Sequence, residues 1–250
     1  MLTMLKVIKN RFEQGHRTSK YPEETINLYK RFRGLPIVNT NCVPAVVQQC
    51  AAACPQEAID TDSCQIDLGK CVFCGLCESL SKGKYVRFSQ NFEMGAAARN
   101  DLLFAVSLPN LANHSKKHFK ALFGRSLQLR QISAGGCNAC EADTNVLNTP
   151  FFDLSRFGIQ FVASPRHADG IHVTGPISKN MQQALLTTWE AVPDPKVVIA
   201  SGACAISGGP FYGSEDIVGD LNSLIPVDLY IPGCPPHPLT TLHALLQFFK

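Results

Sequence analysis

The chain has 250 residues, 45% of them hydrophobic and 17% charged, with a formal net charge of +3. That length supports one large domain, or one medium domain with a small one. The modest charge, with no dense Lys/Arg stripe carrying interleaved aromatics, argues against a nucleic-acid partner, and no uninterrupted apolar run is long enough to span a bilayer.

Met1 to Asn10 lacks a signal-peptide core or cleavage site, so the chain is expected in the cytoplasm. It contains 11 cysteines. In a reducing compartment, clustered C-x-x-C spacings read as metal or redox sites rather than disulfides.

Residues 1–36 read as a helical and extended arm. Its basic residues (Lys6, Lys9, Arg11, Arg17, Lys20, Lys30, Arg31, Arg33) read as a solvated face, or as a dock for an acidic partner or lipid head groups. Tyr21-Pro22-Glu23-Glu24 predicts the start of a short helix, with Pro in its first turn and acids near the positive end of the dipole. Gly34 and Pro36 would break it.

Residues 37–90 hold Cys42, Cys50, Cys54, Cys64, Cys71, Cys74 and Cys77. Three thiolates in Cys71-Val72-Phe73-Cys74-Gly75-Leu76-Cys77 suit three irons of a [4Fe–4S] cube gripped from one tight loop. In bacterial-type ferredoxins the fourth ligand is a remote Cys followed by Pro, a role that Cys54-Pro55 fits. A zinc knuckle is the alternative. Ala58–Asp60 and Tyr85–Phe88 are the predicted framing strands. The segment resembles a two-cluster bacterial-type ferredoxin domain, in degenerate form. Counting back from Cys54, Cys50 is in place, but Pro44 and Val47 hold the two earlier ligand positions, and Ser81-Lys82 replaces the final Cys-Pro. One cluster, on Cys54, Cys71, Cys74 and Cys77, is therefore expected. Cys42, Cys50 and Cys64 are read as buried thiols, a second cluster on them being the alternative.

Residues 91–126 read as a helical connector. Phe92 to Val106 is rich in Ala and Leu, Leu108-Pro109-Asn110 interrupts it, and Asn113 to Phe123 resumes the pattern. The second stretch is either a packing helix between domains or an amphipathic helix at a membrane.

Residues 127–250 alternate strands and helices. Leu127–Ile132, Gly158–Ala163, Ile171–Thr174, Lys196–Ala200 and Val227–Ile231 are β-rich; Cys140–Leu147, Ser178–Glu190 and Pro238–Phe249 have helical spacing. This predicts an α/β architecture, a mainly parallel, doubly wound sheet. Cys137, Cys140, Cys204 and Cys234 then all fall just past the carboxyl ends of strands, where open α/β sheets bind ligands. Glycines beside them (Gly135, Gly136, Gly202, Gly233) would let backbone amides approach cluster sulfurs.

These residues resemble a known family. Gly135-Gly136-Cys137-Asn138-Ala139-Cys140-Glu141, Ser164-Pro165-Arg166-His167-Ala168-Asp169, Val173-Thr174-Gly175-Pro176, Pro193-Asp194-Pro195-Lys196, Gly202-Ala203-Cys204 and Pro226–Pro236 are similar to the small electron-transfer subunit of membrane-bound, energy-converting [NiFe]-hydrogenases and formate hydrogenlyase, homologous to the B (20 kDa) subunit of complex I. The resemblance implies a flavodoxin-like fold with one [4Fe–4S] cluster next to a large catalytic subunit, here fused to a ferredoxin-type domain. Complex I B subunits carry two adjacent cysteines at the first ligand position. The spaced pair Cys137/Cys140 favours the hydrogenase branch.

The expected function is therefore electron transfer between two [4Fe–4S] clusters, in an oxidoreductase subunit with no catalytic centre of its own. The expected partners are a [NiFe]-hydrogenase-like or complex I 49 kDa-like large subunit, membrane subunits, and a further iron–sulfur subunit or soluble electron donor. The expected place is peripheral, on the cytoplasmic side of the inner membrane. The alternatives are a quinone-reducing complex I B-type subunit and a metal-stabilised scaffold. Glu141 and Asp143 are candidate proton-linked acids with raised pKa, or plain surface acids at a helix start. Arg166 and His167 are candidates for tuning the cluster or holding a partner.

Overall fold

The computed structural model describes residues 2–15, 17–104 and 126–249. The second connector stretch, Asn113 to Phe123, lies outside the described residues, as do Leu108-Pro109-Asn110. The chain opens with helix α1, Leu2–Gln14.

The cysteine-rich lobe follows. It is built from β1 (Pro36–Val38), α2 (Pro44–Ala52), β2 (Ile66–Asp67), α3 (Leu76–Ser81), β3 (Val86–Phe88) and β4 (Leu103–Phe104). β1 pairs antiparallel with β3, and β2 with β4. Of the two framing strands expected here, the second is β3. The first, Ala58–Asp60, is only an isolated bridge from Ile59 to Ile66. It still lies against β2, with Asp67 N donating to the Ala58 carbonyl at 2.8 Å, while β4, from a stretch expected to be helical, pairs with β2 on its other edge. Helix α2 occupies the ligand positions that the first ferredoxin half lacks, with Val47 and Cys50 each 1% exposed.

Two further expectations fail locally. Tyr21-Pro22 opens a turn, not a helix. The Ser19 and Tyr21 carbonyls each accept a 2.7 Å bond from the Arg156 guanidinium, and Tyr21 packs edge-on against Phe92. Those bonds hold the segment against the body, where local propensity alone would give a helix turn. Phe92–Val106 is not an α-helix over its described part either. Phe92, Met94 and Ala96 alternate into the core, and a single 3₁₀ turn, Arg99–Leu102, precedes β4.

The C-terminal lobe is the expected α/β unit. β5 (Leu127–Ser133), β6 (Ile159–Phe161), β7 (Gly170–Thr174), β9 (Val197–Ser201) and β11 (Leu229–Ile231) form a parallel sheet in the order β11-β9-β7-β5-β6. That is the flavodoxin-like order. β7 and β9 are buried along their whole length, as strands covered on both faces must be. Helices α4 (Ala139–Val146), α5 (Lys179–Ala191), α6 (Ala203–Ser207) and α7 (Pro238–Phe249) flank the sheet; β8 (Ile177–Ser178) and β10 (Ile217–Gly219) make a small antiparallel pair outside it. α7 buries Leu239, Leu242, Leu245, Leu246 and Phe248 against the sheet. Among the described residues no helix is long and apolar enough to cross a membrane.

The two lobes share one core. Leu68, Tyr85 and Ala96 of the first pack in the same cluster as Ile132, Val173 and Tyr230 of the second. Ala96 and Tyr230 exchange backbone hydrogen bonds of 2.8 and 2.9 Å.

Candidate metal centres

The parallel register sets the C-terminal site. Ser133, Thr174, Ser201 and Ile231 form one row across β5, β7, β9 and β11. The chain leaves this row into the loops that carry Cys137 and Cys234 and into α6, which carries Cys204; Cys140 follows in the first turn of α4. The Gly202 and Ala203 amides donate to the Ile231 and Gly233 carbonyls, both at 2.8 Å, and so fix the Cys204 helix against the Cys234 loop. Glycine is required twice. At Gly202 (φ +90°) a Cβ would lie 2.8 Å from Cys140 Sγ, and at Gly175 (φ +78°) one would lie 2.5 Å from the Gly136 nitrogen.

Cys140, Cys204 and Cys234 are each raised by burial and by the charge of other thiols of this set. Burial pushes Cys140 up strongly, and the charges of Cys204, Cys234 and Cys137 add to the shift. Burial likewise takes Cys204 up to about 11, with Cys234 and Cys137 adding. Cys234 rises through burial and the nearby Cys137. Thiols that oppose one another's ionisation can be thiolates together only with positive charge among them. The donor set is four sulfurs, and glycine leaves the room that a Cβ would take. The residues therefore fit a thiolate-bound cluster.

The N-terminal lobe repeats this chemistry. Cys54, Cys71, Cys74 and Cys77 line one cavity, walled further by Ile66 and Phe88. Backbone amides point at its sulfurs, Ala58 to Cys54 and Phe73 to Cys71, both at 3.4 Å. Such bonds favour thiolate ligands and set a cluster's potential. Burial raises Cys71 to about 12 and Cys77 to about 11. Cys42, Cys50 and Cys64 do not line this cavity. They lie around Tyr85, whose hydroxyl donates to the Cys64 carbonyl at 3.3 Å. Cys50 is buried, while Cys42 and Cys64 are half-buried. Among the described residues no three His, Cys, Asp or Glu side chains are gathered to hold a single metal ion.

The two sites are adjacent. Gly69, two residues before Cys71, accepts a 3.0 Å bond from Ser207 Oγ on α6, the helix that carries Cys204. On another side, a cavity of about 260 Å³ has Val72 and Phe73 on one wall and Cys234, Pro235 and His237 on the other. The arm lines it: Arg33 donates to the Phe73 carbonyl at 3.3 Å, and Phe32 meets His237 edge-on. Asp143 also faces this cavity.

The acids differ from each other. Glu141 is buried at 7% exposure. Burial raises its pKa, but 2.7 Å bonds from Ser133 Oγ and Thr174 Oγ1, a backbone amide and His172 outweigh that, and the net shift is downward. The expected rise holds for Asp143, through burial alone. Arg166 and His167 are exposed on a 3₁₀ turn between β6 and β7. The residues flanking that turn bond to Gln128 and Leu129, nearer the start of β5 than its end at Ser133, so the structure does not bring the pair to the cysteines. His172 carries no expectation from the sequence. It is fully buried on β7, and neither ring nitrogen has a hydrogen-bond partner. An imidazole in the apolar run Ile171–Thr174 was the available signal.

The profile of the family "NADH ubiquinone oxidoreductase, 20 Kd subunit" matches residues 137–248. The chain is 42% identical over 123 residues to "Probable membrane-bound hydrogenase subunit mbhJ" of Pyrococcus furiosus, covering 49% of this chain and 74% of that one. The chain belongs to this 20 kDa subunit family. "NADH-quinone oxidoreductase subunit 6" of Thermus thermophilus is 46% identical over 132 residues, covering 51% of this chain and 70% of its own. Formate hydrogenlyase subunit 7 of Escherichia coli is 44% identical over 120 residues, 48% of this chain, which spans only about half, 47%, of that relative. The 20 kDa family profile begins at Cys137, so the N-terminal lobe lies outside it.

Proposed function

We propose that this chain is the iron–sulfur electron-transfer subunit of a membrane-associated hydrogenase-type oxidoreductase. Cys137, Cys140, Cys204 and Cys234 would hold one [4Fe–4S] cluster, and Cys54, Cys71, Cys74 and Cys77 a second. When bound, each supplies one-electron storage with charge delocalised over iron and sulfur. The observation that carries the reading is adjacency: the loops of both cysteine sets border the cavity between Phe73 and Cys234, and Gly69 joins the Cys204 helix.

The chain's own residues bind and orient. Gly202 and Gly175 admit the close approach of loops. The Phe32–His237 contact and Arg33 hold the arm at the edge of the cavity between the sites. Glu141 is held ionised by Ser133 and Thr174 beside Cys140. Asp143, at the cavity, is the better proton holder of the two. The partners proposed are a large catalytic subunit, membrane subunits and an electron donor; the seat is peripheral, on the cytoplasmic face.

Purified chain should contain about eight irons and give the EPR signal of reduced [4Fe–4S] clusters. Zinc without a chromophore would overturn the reading. A second reading, a complex I B-type subunit, is favoured by the similarity to the Thermus NADH-quinone oxidoreductase chain. The spaced Cys137/Cys140 pair favours the first. Nickel in the purified complex separates them.

A further inference from the structure

We propose that α1 is an interfacial helix that lies on an anionic lipid surface. This does not rest on the cluster assignments. Every described side chain from Met4 to Gln14 is exposed. Met4, Leu5, Ile8 and Phe12 share one stripe at helical spacing, with exposures of 73, 60, 48 and 84%. Val7, 64% exposed, lies further round, beyond Arg11. Scattered single apolar residues on a surface need no explanation, but a contiguous stripe marks a contact. α5 and α7 show the ordinary case, each with buried residues against the body.

The charges say what covers the stripe. At 100° per residue Arg11 falls on one flank of Met4-Ile8-Phe12 and Lys9 on the other. Lys6 lies further round, and Glu13, the single acid, pairs with Lys9 at 3.6 Å on the polar side. Arg17 and Lys20 follow in the chain. Cations bordering an apolar stripe on both sides match the layering of head group over acyl chain, with the long basic side chains reaching back to the phosphates. The helix has 13 residues, too few to cross a bilayer, so it would lie in the plane of the surface. A protein groove or a second copy of α1 would need acidic groups facing Lys9 and Arg11, and α1 itself offers only Glu13.

The test is flotation of the full chain with phosphatidylcholine vesicles, with and without phosphatidylglycerol. Binding is expected only when phosphatidylglycerol is present. It should weaken about fivefold for each of Lys6→Gln and Lys9→Gln, and vanish in Ile8→Glu/Phe12→Glu. Because α1 is exposed, these variants should keep the wild-type circular dichroism and iron content. Failure of the wild type to float would overturn the proposal. So would equal binding to both vesicle types, or binding that survives the double variant. Sedimentation equilibrium covers the rival occupant: a wild-type dimer that Ile8→Glu/Phe12→Glu converts to monomer would assign the stripe to a second copy and also overturn it.

Discussion

Asp67 and Arg99 are joined by two parallel bonds, Nη1 to Oδ1 at 2.8 Å and Nη2 to Oδ2 at 2.6 Å, with both side chains mostly buried. The Asp67 end lies four residues before Cys71. The Arg99 end lies on the segment that runs to the C-terminal sheet, so this fork ties the cluster loop to the core that the two lobes share. Gly69 sits beneath it, where a Cβ would meet Ile206 at 2.7 Å and the guanidinium carbon at 3.0 Å. Arg99→Ala should cost about 2 kcal/mol, since it strands a half-buried carboxylate. Urea unfolding of the single variants and of the Asp67→Ala/Arg99→Ala double would check it. The double should cost less than the sum of the singles.

Gly202→Ala places a methyl on Cys140 Sγ at a backbone angle that alanine avoids. The expected result is about four irons per chain instead of about eight, with the N-terminal signal retained by EPR. Retention of both signals would show that the site has slack that the geometry does not suggest.

Cys42 and Cys64 stand apart from both sets of four. The Cys42→Ser/Cys64→Ser variant should keep about eight irons. Wild-type protein with about twelve irons, falling to about eight in the variant, would mean that these thiols hold a third cluster.

His172 should give the protein an acid-sensitive stability. Burial lowers its pKa from 6.5 to about 4, with Glu141 opposing. Between those values the unfolded chain binds the proton and the folded chain refuses it. Stability from this residue is full above pH 6.5 and falls as the pH drops toward 4, by about 1.4 kcal/mol per unit. His172→Leu should remove that slope. It should also raise stability at neutral pH by about 1 kcal/mol or more, because two unpartnered nitrogens disappear. Thermal unfolding at several pH values reads both effects.

The C-terminal lobe was legible because each of its elements carries its own period. Val197–Ser201 is apolar throughout but for its last residue, as a covered parallel strand must be, and Pro238–Phe249 is bounded as its spacing predicts. The C-x-x-C pairs Cys71/Cys74, Cys74/Cys77 and Cys137/Cys140 stand out because their spacing is local. What was not legible depends on partners distant in sequence. Phe92–Phe104 is rich in alanine, yet Ala96 is claimed by Tyr230 and Phe104 by Ile66. Tyr21 is held by Arg156, 135 positions away. Glu141 shows the same lesson in electrostatics: its burial could be guessed, but the two hydroxyls that outweigh it come from different strands.

The bridge between Ala96 and Tyr230 also decides which side of the sheet stays open. β11 is an outer strand of the five, and Ala96 takes up hydrogen-bonding groups there that would otherwise invite a foreign strand. The opposite margin is β6, only three residues long. Neither margin offers a long template for self-association. A truncation that begins after Ala96, cut to isolate the C-terminal lobe, would uncover Tyr230 and should be more prone to aggregate than the intact chain.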